Sequence, residues 1–332
     1  MENIRIKAIE VYHPEKPVYN DFYLEHFKKQ GKDISSLLEA FGRNKRYVID
    51  NENENTLTMG IEAAKKALES ANLKGSDIDM VLFSSQLPEY TFPSQALIVH
   101  NAINGKETAM CMDTNANCAG MLLAVENTSR TMLGNPYVKR ALIIGSDYSS
   151  LHCRKDDEMT YPNFGDAAAA IILEKKEDDE KYGFLDGMSK SDGATWDLVK
   201  YPACGMSKIY ESDLNVRDIK IDWTPFDGSF VIDHAVETIK TLLDRNKLNN
   251  EGIKAYCFSQ YAKVFGELGA EKLGEDIDKF IYIGDEYGYT GTSSPFISMY
   301  EGIKTGRIKR GDIVCLWSVG IHWTICTMLL RY

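Results

Sequence analysis

The stretch TNANCAGML, residues 114 to 122, sets a polar run against an apolar one, with a single cysteine, Cys118, at the seam. Upstream, TAMCMDTNA (108–116) reads as a buried strand; downstream, MLLAVENTSRTML (121–133) suits a helix. A strand end that gives way to a helix start is a favourable place for a thiolate. There the free backbone N–H groups and the positive end of the helix dipole stabilise negative charge. Ala119 and Gly120 keep the turn uncluttered, and the N–H of Cys118 is available as one donor of an oxyanion hole. On residues alone Cys118 is either a small buried filler or a nucleophile.

Working outward, the same rhythm repeats. MVLFSSQ (80–86), ALIIGSDY (141–148) and AAAAIILE (167–174) read as buried strands. TMGIEAAKKALESANL (58–73) reads as a helix with Met59, Ile61, Ala64, Ala67 and Leu68 on its apolar face. The charged run KKEDDEKYG (175–183) then breaks the chain, predicting an N-terminal half over 1–175 and a C-terminal half over 176–332. In the second half a helix (231–246) leads to the strand KAYCFSQ (254–260), then a helix, then FIYIGDEYG (280–288). A further helix (294–306) leads to the strands DIVCLWSVG and TICTMLLRY. Two halves of one β-α rhythm predict α/β layers with strand-end loops meeting between them, where sites form in such architectures.

Composition narrows the function classes. The 332 residues are 44% hydrophobic and 26% charged, as in ordinary soluble domains. A net charge of -11 argues against nucleic acid as a partner. No apolar run reaches the roughly 18 residues that a membrane helix needs, and the first residues, MENIRIKAIEVYHPE, lack a signal-peptide core, so a cytoplasmic protein without a membrane partner is expected. The seven cysteines are scattered without C-x-x-C spacing, which predicts no metal site and no redox pair. Basic clusters at Arg43–Arg46 and at Lys304–Arg310 read as solvated surface.

DTNANCAGMLLAVE resembles the nucleophile segment of the β-ketoacyl-acyl carrier protein synthase III family, within the thiolase superfamily. Other segments are similar in order: TFPSQA (91–96), ALIIGSDY with NFGDAAAAIILE, GYTGTSSP and IKTGRIKRGDIVCL. The resemblance spans nearly the whole chain. It implies a thiolase-like, five-layered αβαβα body of two pseudo-repeated halves, and a homodimer or a heterodimer with a homologue. It also implies an acyltransferase in which Cys118 takes an acyl group from coenzyme A or a carrier protein. No bound cofactor and no metal are implied. Phe92, in the TFPSQA segment, is expected at the dimer interface and substrate pocket.

The family's decarboxylating pair is a histidine in Pro-His-Gln-Ala-Asn and an asparagine in His-Gly-Asn-Thr-Ser. Here the first segment reads Phe258-Ser259-Gln260-Tyr261-Ala262, and the reading places Gln260 where the histidine stands. The second reads Tyr287-Gly288-Tyr289-Thr290, placing Tyr289 where the asparagine stands. Gln260 donates a hydrogen bond but carries no proton at neutral pH. A replacement base is expected in the last Gly-rich loop, Ser318-Val319-Gly320-Ile321-His322-Trp323, with Ile321 supplying the second oxyanion N–H and His322 the imidazole. The alternative is that His322 points away and bonds a carbonyl. His234 and His152 are weaker candidates. The resemblance places the family's donor-site tryptophan and arginines on Ser36, Ala40 and Leu151, none of which gives the bidentate phosphate contact of a guanidinium, and the arginine that greets the carrier protein on Phe265.

The expected activity is acyl capture on Cys118 followed by carbon–carbon condensation or acyl transfer, in fatty-acid-like or specialised polyketide biosynthesis, without standard malonyl decarboxylation. The alternative is a non-catalytic partner subunit of a heterodimeric complex.

Overall fold

The computed structural model of the chain describes every residue except Ser229 and His322. Ten strands form the body. In the first half these are β1 (Glu2–Tyr12), β2 (Met80–Ser84), β3 (Met110–Thr114), β4 (Arg140–Asp147) and β5 (Ala167–Glu177). The second half contributes β6 (Gly183–Ser191), β7 (Ile253–Phe258), β8 (Phe280–Ile281), β9 (Ile313–Gly320) and β10 (Thr324–Arg331). The principal helices are α1 (Thr56–Ala71), α2 (Gln95–Ala102), α3 (Gly120–Gly134), α4 (Phe230–Arg245), α5 (Lys263–Leu273) and α6 (Ser294–Lys304).

Strand pairing exposes an internal repeat. The first half is ordered β3-β2-β4-β5-β1, with β2 parallel to β3 and β4, and β5 antiparallel to β4 and β1. The second is ordered β8-β7-β9-β10-β6, with β7 parallel to β8 and β9, and β10 antiparallel to β9 and β6. Each half runs β-α-β-α-β-α-β-β, so α3 and α6 are equivalent. The two five-stranded sheets touch through one parallel register pair, Ile4 with Gly183, and the chain crosses between them at 178–182.

Period-two alternation sorts each strand between two cores. Met80 and Leu82 of β2 face one, while Val81 and Phe83 face the other. The inner core joins both sheets through α3 and α6, with Met121, Phe296 and Met299 fully buried. The outer face of the first sheet packs on α1, and that of the second on α4 and α5. This gives five layers, α-β-α-β-α. Among the described residues no helix is long and apolar enough to cross a membrane.

Local chemistry moves some boundaries. The α1 helix starts at Thr56 rather than 58 because Asn55 and Thr58 form a reciprocal capping box at 2.9 and 2.8 Å. It ends at Asn72, which takes φ 54. The expected 280–288 strand shrinks to Phe280–Ile281; the chain then turns through a short helix, Gly284–Tyr287, and leaves it at Gly288 with φ 70. A Cβ on Gly284 would lie 2.2 Å from Nη1 of Arg43, so the backbone here packs on that guanidinium.

The Arg43–Arg46 cluster is therefore not surface. Arg43 is 2% exposed and Arg46 0%. Arg43 donates to Asn163 Oδ1 (2.7 Å) and to the carbonyls of Gln260 (2.6 Å) and Tyr261 (2.7 Å), and also to Tyr282. Burial lowers the pKa of both guanidiniums. Sequence polarity predicted hydration; instead, backbone carbonyls satisfy the charge and tie the 260–261 segment to the N-terminal half.

Candidate active site

Cys118 sits in the loop between β3 and α3, 2% exposed. Asn117 enters the left-handed region at φ 52, a conformation asparagine tolerates, and its N–H is held by Asn115 Oδ1 at 2.8 Å. Gly120 opens the helix because a Cβ there would lie 2.5 Å from Ser84 Oγ. Thr292 Oγ1 accepts from the N–H of Met121 at 2.7 Å and caps the first turn. From the second half, Ser318 Oγ donates to the Cys118 carbonyl at 2.8 Å.

The thiol lies 3.7 Å from Gln86 Oε1, and Gln86 Nε2 donates to Asp147 Oδ2 at 3.3 Å. Asp147 is fully buried, and burial pushes its carboxyl up to about 6 against the donors Thr292 N (3.1 Å), Ser85 Oγ (2.9 Å) and Gln86 N (3.0 Å). Burial also pushes the Cys118 thiol up to about 12; Tyr289 and Gln86 pull it down, and the Asp147 charge adds to the rise. At neutral pH the resting group is a thiol.

Tyr289 is buried and packs in one cluster with Cys118, and burial holds its phenol well above the usual range. Its backbone is fixed on both sides, donating to Asn163 O at 2.9 Å and accepting from Gly165 N at 3.0 Å. The Tyr289 hydroxyl lies 3.0 Å from Ser259 Oγ.

Gln260 has a different setting from the one expected. Its Nε2 donates to Phe258 O (2.9 Å) and Ile281 O (3.1 Å), and its Oε1 accepts from Ile283 N (2.9 Å). The carboxamide thus stitches β7 to the end of β8 and lines neither cavity near the thiol. Counting the five columns of Pro-His-Gln-Ala-Asn puts Ser259 opposite the histidine and Gln260 opposite the glutamine. That one-column count was the signal by which Ser259 could have been found.

His322 lies outside the described residues. Its neighbour Ile321 borders both cavities, and its carbonyl accepts from Asn117 Nδ2. His234 stacks on Trp323 with ring centroids 4.7 Å apart and meets Lys190 and Glu237. His152 packs edge-on against Tyr201, and burial lowers it to about 4. Phe265 lines the larger cavity, while Leu151 is 47% exposed. Ser36 and Ala40 are also exposed. Phe92 is 85% exposed and borders neither cavity of this chain.

Two cavities flank the site. One, of about 140 Å³, contains Cys118 with Gln86, Asn115, Phe164, Lys200 and Ile221. The other, of about 330 Å³, is walled by Tyr261, Phe265, Tyr289 and Trp323. Trp223 and Ile321 border both; Trp223 lies parallel to Tyr261 at 5.4 Å. The arrangement offers a buried sulfur, a phenol packed with it and enclosed space on two sides.

Such a layered duplication with a cysteine heading a central helix defines a thiolase-type fold. Solved structures agree: 3-oxoacyl-[acyl-carrier-protein] synthase III from Aquifex aeolicus superposes with a TM-score of 0.86 at 23% identity, over 99% of this chain and 100% of that one. The priming β-ketosynthase of the R1128 polyketide pathway gives 0.87 at 18% identity, over 99% and 96%. The family model described as 3-oxoacyl-[acyl-carrier-protein] synthase III matches residues 112–193, and its C-terminal counterpart matches 243–332. The β-ketoacyl-[acyl-carrier-protein] synthase III of Bartonella bacilliformis is 30% identical over 327 residues, 96% of each chain. That of Clostridium acetobutylicum is 29% identical over 334 residues, 100% of this chain and 99% of its own. The chain belongs to the 3-oxoacyl-acyl carrier protein synthase III family of acyltransferases.

Proposed function

We propose that Cys118 accepts an acyl group from a thioester of coenzyme A or a carrier protein and passes it to a second substrate without the usual malonyl decarboxylation. The observation that carries this reading is the placement of Cys118 at the head of α3, packed with Tyr289, whose hydroxyl in turn meets Ser259. In the resembled family an imidazole and a carboxamide hold the developing enolate. Two hydroxyls give neutral donors and no imidazole proton, which suits holding an acyl oxygen better than driving loss of carbon dioxide.

In this reading the backbone N–H groups of Cys118 and Ile321 hold the oxyanion. Because burial keeps the thiol protonated, attack needs a base, and His322 is the residue proposed for it. Tyr289 stays protonated and donates to the sulfur or the acyl oxygen. Gln260 serves by fixing the backbone that carries Ser259.

A dimer through the β3 edge is part of the proposal. Met110 and Met112 on that edge strand are 46% and 44% exposed, and Phe92, on the loop before α2, is 85% exposed. A homologue could take the partner's place.

The test is intact mass after incubation with acyl-coenzyme A and acyl-carrier-protein donors. An acyl adduct in the wild type, absent from Cys118→Ala, is expected. No adduct with any donor overturns the reading and leaves the non-catalytic subunit in its place.

A further inference from the structure

We infer that the thiol chamber selects a short acyl group ending in a carboxylate, the half-thioester of a small dicarboxylic acid. This rests on the acyl-capture reading of Cys118 and adds the substrate class.

The two cavities differ in chemistry as well as size. The larger one is walled by aromatic and aliphatic side chains. The chamber that holds Cys118 is smaller, about 140 Å³, and contains Lys200 together with Asn115 and Asn117. Lys200 comes from a short hairpin in which Val199–Lys200 pairs antiparallel with Asp222–Trp223. Among the described residues its ammonium has no ion pair. Its cross-strand neighbour Asp222 is engaged by Arg154 at 3.6 Å. Asn117 spends its carboxamide N–H on the Ile321 carbonyl, whereas Asn115 uses its oxygen on the Asn117 N–H and leaves its NH₂ free to donate.

A cationic residue and a free amide donor in the lining of the chamber that holds the thiol favour an acyl group whose far end is negative. A hydrocarbon tail gains nothing from the ammonium, while a carboxylate gains a charge-assisted hydrogen bond. The volume limits the length, with Phe164 and Ile221 closing the apolar side. In the acylation step, the Cys118 sulfur forms a bond to the donor's carbonyl carbon and the donor's C–S bond breaks. The thiol proton leaves with the departing thiolate, so no other reactant is needed.

The N-acetylcysteamine thioesters of succinate and butyrate share a four-carbon chain and differ at its end, carboxylate against methyl. They also dispense with nucleotide and carrier protein. With the whole protein, acylation followed by intact mass is expected to run roughly tenfold or more faster with the succinyl thioester. Lys200→Met should lower the succinyl-to-butyryl rate ratio at least tenfold, and Lys200→Arg should keep most of it. Lys200 sits on a partly exposed hairpin, so these variants test selectivity rather than folding. Equal or faster butyryl transfer in the wild type, or a ratio unchanged in Lys200→Met, overturns the inference while leaving acyl capture standing. No adduct from these or any coenzyme A or carrier-bound donor removes acyl capture, and the inference with it.

Discussion

The Tyr289 hydroxyl stands 3.0 Å from the Ser259 hydroxyl, and the same phenol contacts the Cys118 thiol. The sulfur therefore faces a phenol that is itself joined to a serine hydroxyl; backbone bonds to Asn163 and Gly165 hold Tyr289, and Ser259 N–H donates to Trp317 O at 3.0 Å.

Removing the phenol oxygen alone tests that contact. Tyr289→Phe should slow single-turnover acylation of Cys118 about 10- to 100-fold, the worth of one hydrogen bond to a charge-bearing group. An unchanged rate would make Tyr289 a wall of the larger cavity and nothing more.

Ser259 and Gln260 separate cleanly. Gln260→Ala strands the buried Ile283 N–H and takes a donor from the Phe258 carbonyl, while Ser298 still donates to Ile281 O, so unfolding in denaturant should show a loss of about 2 kcal/mol. Ser259→Ala should leave stability nearly intact and alter the acylation rate. The double variant Ser259→His with Tyr289→Asn restores the family pair, and release of carbon dioxide from a malonyl thioester is its expected gain. The reverse ranking of the two single variants would return Gln260 to the chemistry.

The pH profile examines the base. With the thiol held near 12, attack by preformed thiolate would climb tenfold per pH unit across 6 to 9. With His322 as base the acylation rate should instead level off above its own titration, ordinarily near about 6.5. His322→Ala should slow acylation by about 10²–10⁴-fold at neutral pH and restore the steady climb.

Buried Asp147 and Asp166 are both raised to about 6 by burial. A carboxyl with a folded pKa above its unfolded one binds more protons when folded. The stabilisation it gives is complete below about 4 and is lost as pH rises through about 6. Unfolding free energy should fall across that window by on the order of 2 kcal/mol for each group, beneath whatever the surface carboxylates contribute. Asp147→Asn should flatten its share; an unaltered slope would mean the group titrates normally.

Phe92→Asp or Met112→Asp on the β3 edge should shift a dimer to monomer in sedimentation velocity. A dimer that survives both places its interface elsewhere.

Much of this was readable in the chain. The strands at 80–84 and 141–147 are continuous apolar runs, and α1 carries its apolar stripe at helical spacing, because both are set by burial that the pattern records. Arg43 and Arg46 were not readable: their charge predicts water, and only the tertiary fold brings carbonyls from 162, 260 and 261 to meet them. Ser259 was hidden for a different reason. A serine leaves little mark beside a glutamine of similar polarity, and only the fold shows that it is the Ser259 hydroxyl, not the Gln260 carboxamide, that meets Tyr289.

Gly320 has a consequence of its own. A Cβ there would come within 2.5 Å of the Ala116 carbonyl, so β9 and the Cys118 loop meet as bare backbone. That join is part of the floor of the larger cavity, where no side chain can widen or narrow it. The outer wall of the neighbouring thiol chamber, the hairpin of Val199–Lys200 and Asp222–Trp223, is an attachment outside both sheets. New substrates can be admitted by rewriting that wall while the floor stays as it is.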